Sequence, residues 1–175
     1  KKVFSLFGFD LIDVYPQTTH GGSMRYVIGR KNHHLIKKKV SEYLKYEKKN
    51  NIDNIEGCIN FKKECEISKK KLIKKVNGIK KKGKNIVGYG ATSKSTTILN
   101  YCKIGNDIID YICDTTPEKI GKFTPGTHIP VVSMNRFKEK VPDSIFLFAW
   151  NHKKEIFKKE KKFIKKGKWF AHVKI

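Results

Sequence analysis

The sequence predicts an α/β protein: a Rossmann-like, doubly wound and mostly parallel sheet, preceded by a two-strand piece and a long helical segment. Three observations predict this class. A glycine turn at residues 88–90 joins an apolar strand to a helix, strands and helices alternate after residue 83, and the strands at residues 108–113 and 144–149 are almost continuously apolar. Such strands are typical of a parallel sheet that helices cover on both faces.

The first part of the chain predicts two strands and two helices. The strands lie at residues 11–15 and 24–29 and are joined by a polar turn. Apolar residues then recur at three- and four-residue steps from about residue 36 to residue 82, which is the period of a helix. Polar residues at 50–53 divide this stretch, and Asp53 is a candidate N-cap for its second helix.

We therefore expect a strand pair with a helical connector at residues 1–82 and a Rossmann-like domain at residues 83–175. Gly83 is expected to end the long helix. The predicted elements of the second domain are strand 84–88, helix 92–103, strand 108–113, loop 114–127, strand 129–132, helix 133–140, strand 144–149, helix 152–166 and strand 168–173.

The net charge of +23 invites a nucleic-acid interpretation, because clustered cations release counterions from a polyanion. Of the 39 lysines and arginines, however, only Arg25, Arg30 and Arg136 are arginines. Nucleic-acid readers commonly use arginine for its bidentate fork and its stacking plane. We therefore expect a solvated lysine surface that steers anionic substrates, and nucleic acid is not an expected partner.

Cysteine, histidine and hydropathy patterns predict neither a metal site nor a membrane segment. The four cysteines form no CxxC pair, and the six histidines are scattered. We expect reduced and mostly buried thiols. No apolar run approaches the roughly 20 residues of a membrane span, which predicts a soluble, cytoplasmic protein. The start at Lys1, without methionine, resembles a piece of a longer chain.

The turn that follows the strand at residues 84–88 is suited to a phosphate-bearing ligand. Gly88 and Gly90 let backbone approach a ligand, Lys94 adds charge, and the start of the helix adds unpaired N–H groups. Hydroxyl groups are available at Thr92, Ser93, Ser95 and Thr96. Ser93 stands where a dinucleotide-binding turn has its third glycine, so a nicotinamide cofactor is a weaker alternative. A purely structural turn is a further alternative.

Other polar residues lie where parallel strands end. Asp114 follows the strand at 108–113 and either accepts hydrogen bonds from a sugar hydroxyl or caps its own loop. The loop at residues 119–127 is long, glycine-rich and basic, which is typical of functional loops. Trp150, Asn151 and His152 follow the strand at 144–149, where they either face a ligand or simply pack and cap.

Several of these segments together resemble the C-terminal domain of S-adenosylmethionine-dependent sugar-nucleotide C-methyltransferases. The resemblance covers residues 10–173 and rests on motifs in the same order. These are Thr-His-Gly-Gly-Ser-Met-Arg at residues 19–25, Gly-Tyr-Gly-Ala-Thr-Ser-Lys at 88–94 with Asn100, Cys-Asp-Thr-Thr-Pro-Glu-Lys-Ile-Gly-Lys at 113–122, Pro-Gly at 125–126, Ile-Pro-Val at 129–131 and Phe-Ala-Trp-Asn at 148–151.

The resemblance implies a part of an enzyme that methylates a carbon beside a keto group of a nucleotide-sugar. The family's zinc-binding cysteines, its donor-binding glycine motif and its Tyr-His-Glu-His segment have no counterpart here. The expected ligand is therefore a nucleoside diphosphate sugar, the expected partner is an upstream methyl-donor domain, and S-adenosylmethionine is expected in the full-length enzyme but not on this fragment. No catalytic residue is expected, and the fragment alone is expected to be inactive.

The resemblance also assigns roles within the substrate site. Ser93, Lys94 and Ser95 are expected to hold the diphosphate, whereas Asp114 and two lysines are expected near the nucleoside. Residues 20–23 are expected to line the junction toward the catalytic part. The full predicted set is His20, Gly21, Gly22, Ser23, Gly88, Gly90, Ala91, Ser93, Lys94, Ser95, Asp114, Lys119, Lys122, Trp150 and Asn151. A polyanion-binding module without catalysis is the alternative from another class.

Overall fold

The computed structural model describes residues 1–164 and 168–174. The chain divides into two compact units, unit 1 at Lys1–Glu64 and unit 2 at Cys65–Ile175. The division falls inside a helix because the second half of that helix, including Leu72 and Val76, packs in the core of unit 2. The expected domain boundary after residue 82 differs from this division and stays a prediction about independently folding domains.

Unit 1 is built around an antiparallel hairpin. Helix α1 (Lys2–Leu6) precedes strands β1 (Phe9–Gln17) and β2 (Ser23–Arg30), and helix α2 (Lys38–Lys49) follows them. The strands pair with an irregularity near Leu11. Both predicted strands and the helix are confirmed, whereas α1 was not predicted. The small core of unit 1 consists of Leu11, Val14 and Val40, with Met24 and Tyr43 packed against it.

The long helix α3 (Ile55–Lys80) confirms the predicted helical segment. Its expected cap is corrected: the Asn54 side chain, rather than that of Asp53, accepts a hydrogen bond from the backbone N–H of Gly57 at 2.9 Å. Asn54 is the residue directly before the helix, so its side chain reaches the third helical N–H. Gly83 follows the helix with a φ of +67°, as expected for a residue that ends it.

Unit 2 contains a five-stranded parallel sheet, which confirms the predicted fold class. Its strands are β3 (Ile86–Tyr89), β4 (Ile112–Asp114), β5 (Val131–Ser133), β6 (Ser144–Leu147) and β7 (Lys168–Phe170). Their order is β5-β4-β3-β6-β7, with every neighbouring pair parallel. The helices are α4 (Ser93–Cys102), α5 (Met134–Glu139), α6 (Lys153–Lys159) and α7 (Lys161–Ile164).

Apolar residues cover both faces of this sheet. One cluster includes Ile86, Leu99 and Phe146 and takes in the second half of α3; the other includes Val87 and Phe137. Neighbouring residues of β3 therefore point into opposite clusters, as strand geometry requires. This two-sided burial explains why the parallel strands are almost continuously apolar.

Most predicted elements of unit 2 differ from the structure by one to three residues at an end, and two of them differ more. The strand expected at residues 108–113 begins only at Ile112, because the N–H groups of Ile108 and Ile109 both donate to the carbonyl of Gly105 in a turn. The helix expected at residues 152–166 begins at Lys153 and is interrupted at Glu160. Its predicted last residues, 165 and 166, lie outside the described residues.

The cysteines are all free, and Cys102 and Cys113 are buried as expected, whereas Cys58 is exposed. Burial raises the pKa of the Cys113 thiol to about 12, so this group is an inert core residue. Within residues 1–164 and 168–174, no helix is both long enough and apolar enough to cross a membrane.

Candidate functional site

The site begins at the carboxyl end of β3, where the strand order reverses: β4 lies on one side of β3 and β6 on the other. In open parallel sheets, ligands bind at this reversal point. Gly90 turns the chain here with a φ of +89°, and a Cβ atom at this position would lie 2.9 Å from the Cβ of Ala149. Both observations explain why a glycine is required at the turn.

Gly88 needs to be glycine for a different reason. Its φ is not positive, but an added Cβ would lie 2.7 Å from Cγ1 of Ile112 and 2.8 Å from Cε2 of Phe148. The space beside Gly88 is thus filled by the core of the sheet. The expected backbone contact between Gly88 and a ligand stays a prediction.

The turn leads into α4 through a reciprocal cap between Thr92 and Ser95. The Thr92 hydroxyl accepts from the N–H of Ser95 at 3.1 Å, and the Ser95 hydroxyl accepts from the N–H of Thr92 at 2.9 Å. Ser95 is only 1% exposed, and its hydroxyl also donates to the Thr92 carbonyl at 2.5 Å. The structure therefore gives this hydroxyl a capping role, and its expected contact with a phosphate stays a prediction.

Asp114 ends β4 and fixes the glycine turn. One carboxylate oxygen accepts from the N–H of Ala91 at 2.7 Å, and the other accepts from the N–H of Thr116 at 2.8 Å. Burial raises the pKa of this carboxyl, but these hydrogen bonds and the charge of Lys119 outweigh burial, so the pKa lies below its ordinary value of 3.8. Asp114 is therefore an ionised carboxylate near neutral pH. Asp114 thus both caps its own loop and supports the glycine turn.

Two side chains fasten the loop that follows Asp114 to the start of α4. The Lys119 ammonium donates to the carbonyl of Ala91 at 2.8 Å and lies 3.7 Å from the Asp114 carboxylate. The Asn100 side chain donates to the carbonyl of Pro125 at 3.0 Å. The next residue, Gly126, has a φ of +79°, and a Cβ there would overlap the Asn100 amide. The loop is thus held against α4 by specific contacts.

A cavity of about 280 Å³ lies between this loop and the N-terminal turn of α4. Its polar lining includes Ser93, Thr96 and Lys122, and the exposed Phe123 also lines it. The full lining is Ala91, Thr92, Ser93, Ser95, Thr96, Lys119, Lys122, Phe123, Thr124, Pro125 and Val131. In the described part of the chain, Lys122 is paired with no carboxylate. The cavity thus combines a helix N-terminus, hydroxyls and an unpaired cation, which suits an anion.

Three of the predicted site residues form a second group beside this cavity. The Lys94 ammonium lies 3.4 Å from the side-chain oxygen of Asn151 and 5.8 Å from the ring centre of Trp150. The indole nitrogen of Trp150 is buried and has no hydrogen-bond partner among the described residues. Lys94, Trp150 and Asn151 do not line the cavity itself.

A family model described as the C-methyltransferase C-terminal domain matches residues 18–173. The chain belongs to this family. C-methyltransferase NovU from Streptomyces niveus is 32% identical to it over 166 residues, which are 94% of this chain and 40% of that relative. The resemblance predicted from the motifs is therefore confirmed, and the chain spans about 40% of the length of the relative that it matches.

The predicted residues 20–23 of this C-methyltransferase C-terminal domain belong to unit 1, at the tip of its hairpin. Gly21 and Gly22 have φ values of +90° and +134°, a backbone conformation that favours glycine. His20 also has a positive φ of 56°. The role of these residues and of Ser23 at a substrate stays a prediction.

Some residues that line the cavity of this C-methyltransferase domain were not predicted as site residues. In the sequence, Thr96 stands out only for its hydroxyl, Phe123 and Thr124 only as parts of a loop, and Pro125 only in that loop and in the Pro-Gly motif. The length and glycine content of that loop were the available signal. Val131 belongs to the Ile-Pro-Val motif at 129–131, but its apolar side chain gave no sign that it lines a cavity.

Proposed function

We propose that this chain is the substrate-binding part of a C-methyltransferase and that its cavity holds the diphosphate and nucleoside portions of a nucleotide-sugar. The main support for the proposal is one cavity, lined by both the N-terminal turn of α4 and Lys122. This cavity lies at the point where the strand order of the sheet reverses. Membership of a C-methyltransferase family supports an acceptor substrate for methylation.

The diphosphate is proposed to lie against the first turn of α4. The N–H groups of Ser93 and Lys94 have no preceding helical carbonyl to bind, and the positive end of the helix dipole points the same way. The Ser93 and Thr96 hydroxyls and the Lys122 ammonium line this part of the cavity. Together these groups offer donors and positive charge to a group that carries only acceptors and negative charge.

The nucleoside is proposed to lie toward the loop that carries Phe123. This side chain is 61% exposed although it is aromatic, so it offers a face on which a base can stack. Asp114 is proposed to contact the nucleoside side indirectly, through Ala91 and Lys119, because both of its oxygens already accept hydrogen bonds.

The methyl donor is not the ligand that we propose for this cavity. Its reactive sulfonium is a cation, whereas the unpaired Lys122 favours an anion. We therefore assign donor binding and catalysis to a part of the protein outside this chain and expect no methyl transfer by this chain alone. Its contribution is to bind the remote part of the substrate and so to orient the reacting carbon.

Unit 1 is proposed to contact that upstream methyl-donor part. Its surface carries large apolar side chains that its own small core leaves uncovered, among them Leu6, Phe7 and Leu35, which are 81%, 74% and 83% exposed. Exposed apolar groups of this number mark interaction surfaces. Slower hydrogen exchange in α1 and β2 when the upstream part is added is the expected result; unchanged exchange would remove this proposal.

Calorimetric titration with UDP-, dTDP-, GDP- and CDP-sugars tests the substrate proposal. We expect at least one of them to bind, and Lys122→Gln to weaken that binding by about 1–3 kcal/mol, because its charge meets a phosphate. The matched control is Lys138→Gln, which removes the same charge from an exposed position on α5 that does not line the cavity. Equal losses for both variants would contradict a specific role for Lys122.

The same titration separates the competing functions. Binding of NAD(H) with no binding of nucleotide-sugars would favour the dinucleotide alternative. Binding of single-stranded DNA at physiological salt, again without nucleotide-sugars, would favour the polyanion module. Either result would overturn the proposed function.

A further inference from the structure

A second concave site lies in unit 2, at the end of the sheet where the strands begin. Ile86, Ser144 and Lys168 are register partners at the amino ends of β3, β6 and β7. Beside them, the last turns of α3 and the segment that follows complete a cavity of about 270 Å³. Its lining is Lys74, Lys75, Gly78, Ile79, Lys82, Lys84, Ser144 and Lys168.

We propose that this five-lysine cavity binds a compact polyphosphate anion. It shares no lining residue with the cavity at the N-terminus of α4, which lies at the opposite, carboxyl ends of the strands. The proposal therefore does not depend on the proposed function. It rests on the charge of the cavity, on the absence of neutralising carboxylates and on one buried hydroxyl.

The lysines of this cavity are not neutralised by the protein. No carboxylate in the described part of the chain lies within ion-pair distance of any of the five, whereas their neighbour Lys80 is 3.5 Å from Asp110. The nearest acid along the chain, Asp143, is engaged otherwise: its carboxylate accepts from the N–H of Asn85 at 3.0 Å. The ammonium of Lys75 lies 4.6 Å from the centre of the Phe170 ring.

Ser144 supplies an independent sign of a ligand. It lines the cavity, is 2% exposed, and its hydroxyl makes no side-chain hydrogen bond within residues 1–164 and 168–174. Because the residue is otherwise almost fully buried, the cavity is where this unpartnered hydroxyl can meet a ligand. A phosphate oxygen satisfies both the hydroxyl and the lysines.

The charge distribution favours a compact anion of several charges. Five like charges around one cavity repel one another, and a polyphosphate relieves more of this repulsion than a single phosphate does. The carbonyl end of α3 opposes an anion, but its partial charge is much smaller than that of five ammonium groups. A cavity, rather than a stripe along a helix, favours a short polyphosphate over an extended nucleic-acid strand.

Calorimetry of the 175-residue chain with sodium tripolyphosphate, in 0.05 M and 0.15 M salt, tests the proposal. The variant Lys74→Gln/Lys82→Gln/Lys84→Gln removes three exposed charges from the cavity. We expect this variant to bind about tenfold more weakly, because it loses several surface contacts that are each modest. We also expect the affinity of the unmodified chain to fall as the salt concentration rises. The matched control is Lys45→Gln/Lys48→Gln/Lys49→Gln on α2, which removes the same charge from exposed positions in unit 1.

We expect the control to change the affinity less than twofold. We expect Ser144→Ala to weaken binding by about tenfold, since it removes one hydrogen bond to a charged acceptor. No binding of tripolyphosphate, equal losses in the two triple variants, or loss caused mainly by Lys122→Gln would each overturn the proposal. So would tighter binding of single-stranded DNA that the cavity variant abolishes.

Discussion

Unit 1 and unit 2 bury their apolar residues very differently. The buried apolar residues described in unit 1 are Leu11, Val14 and Val40, whereas unit 2 covers both faces of a sheet with large side chains such as Phe137 and Phe146. Most of the large apolar side chains that remain exposed lie in unit 1. Both units are thus rich in apolar residues, but unit 2 buries most of its own, whereas unit 1 leaves most of its large apolar side chains exposed.

This difference indicates that unit 2, rather than unit 1, supplies a rigid scaffold. The cavity at α4 lies just beyond β3, and the lysine cavity includes Ser144 of β6; both strands belong to unit 2, and all of their residues are buried. Stable contacts in a binding site require supporting residues that are themselves fixed by packing. Unit 1 has the composition of a surface that another part of a protein covers, in agreement with the proposed upstream contact.

The largest expected effect compares one phenylalanine from each unit. Phe146→Ala should lower the free energy of unfolding by about 3–5 kcal/mol, because the ring is fully buried and stacks on Phe148 and Phe170. Phe61→Ala should change it by less than about 0.5 kcal/mol, because Phe61 is 71% exposed. Urea unfolding followed by circular dichroism measures both. Similar losses in the two variants would break the comparison.

A smaller effect compares two glycines. Gly88→Ala should cost about 1–3 kcal/mol, because the new methyl group has no space between Ile112 and Phe148. Gly22→Ala meets no atom within 4 Å but holds a φ of +134°, so we expect backbone strain of about 1–2 kcal/mol without any change in the core. Thermal unfolding gives the two costs, and near-ultraviolet circular dichroism reports core packing. A change in the aromatic spectrum of Gly22→Ala rather than of Gly88→Ala would reverse the assignment.

The smallest effect concerns pH. Burial lowers the pKa of His172 below its ordinary value of 6.5, so the unfolded chain takes up a proton at a higher pH than the folded chain does. The stability is therefore complete above pH 6.5 and declines as the pH falls from there through the folded pKa. His172→Phe should flatten this decline, measured by urea unfolding at several pH values. The exposed His33, changed to Phe, is the control; an equal flattening there would contradict the prediction.

Much of the fold could be predicted because its causes are local. The helical period of α2 and α3, the polar hairpin turn and the apolar strands are all visible in the sequence. The predicted strand at residues 108–113 began too early because Ile108 and Ile109 are apolar for another reason: they pack in the core from a turn. An apolar side chain indicates burial, and burial does not require a strand.

The candidate site was predictable in position but not in detail. The glycine turn and Asp114 lie where the spacing placed them, at the ends of neighbouring parallel strands. The sequence predicts the hydroxyl of Ser95 at a phosphate but did not show that it also closes a helix cap, because a cap and a ligand contact use the same residue types. Only the distances between atoms can distinguish a helix cap from a ligand contact.

The sequence by itself determined the class of the sheet, the glycine turn and the family, because periodicity, glycine positions and ordered motifs are properties of short segments. Only the tertiary structure decided that Lys122 and Phe123 face the first turn of α4, and that five lysines from three segments surround one cavity. The physical reason is that a cavity depends on segments distant in sequence that packing brings together. The pattern within a short segment does not show which distant segments it contacts.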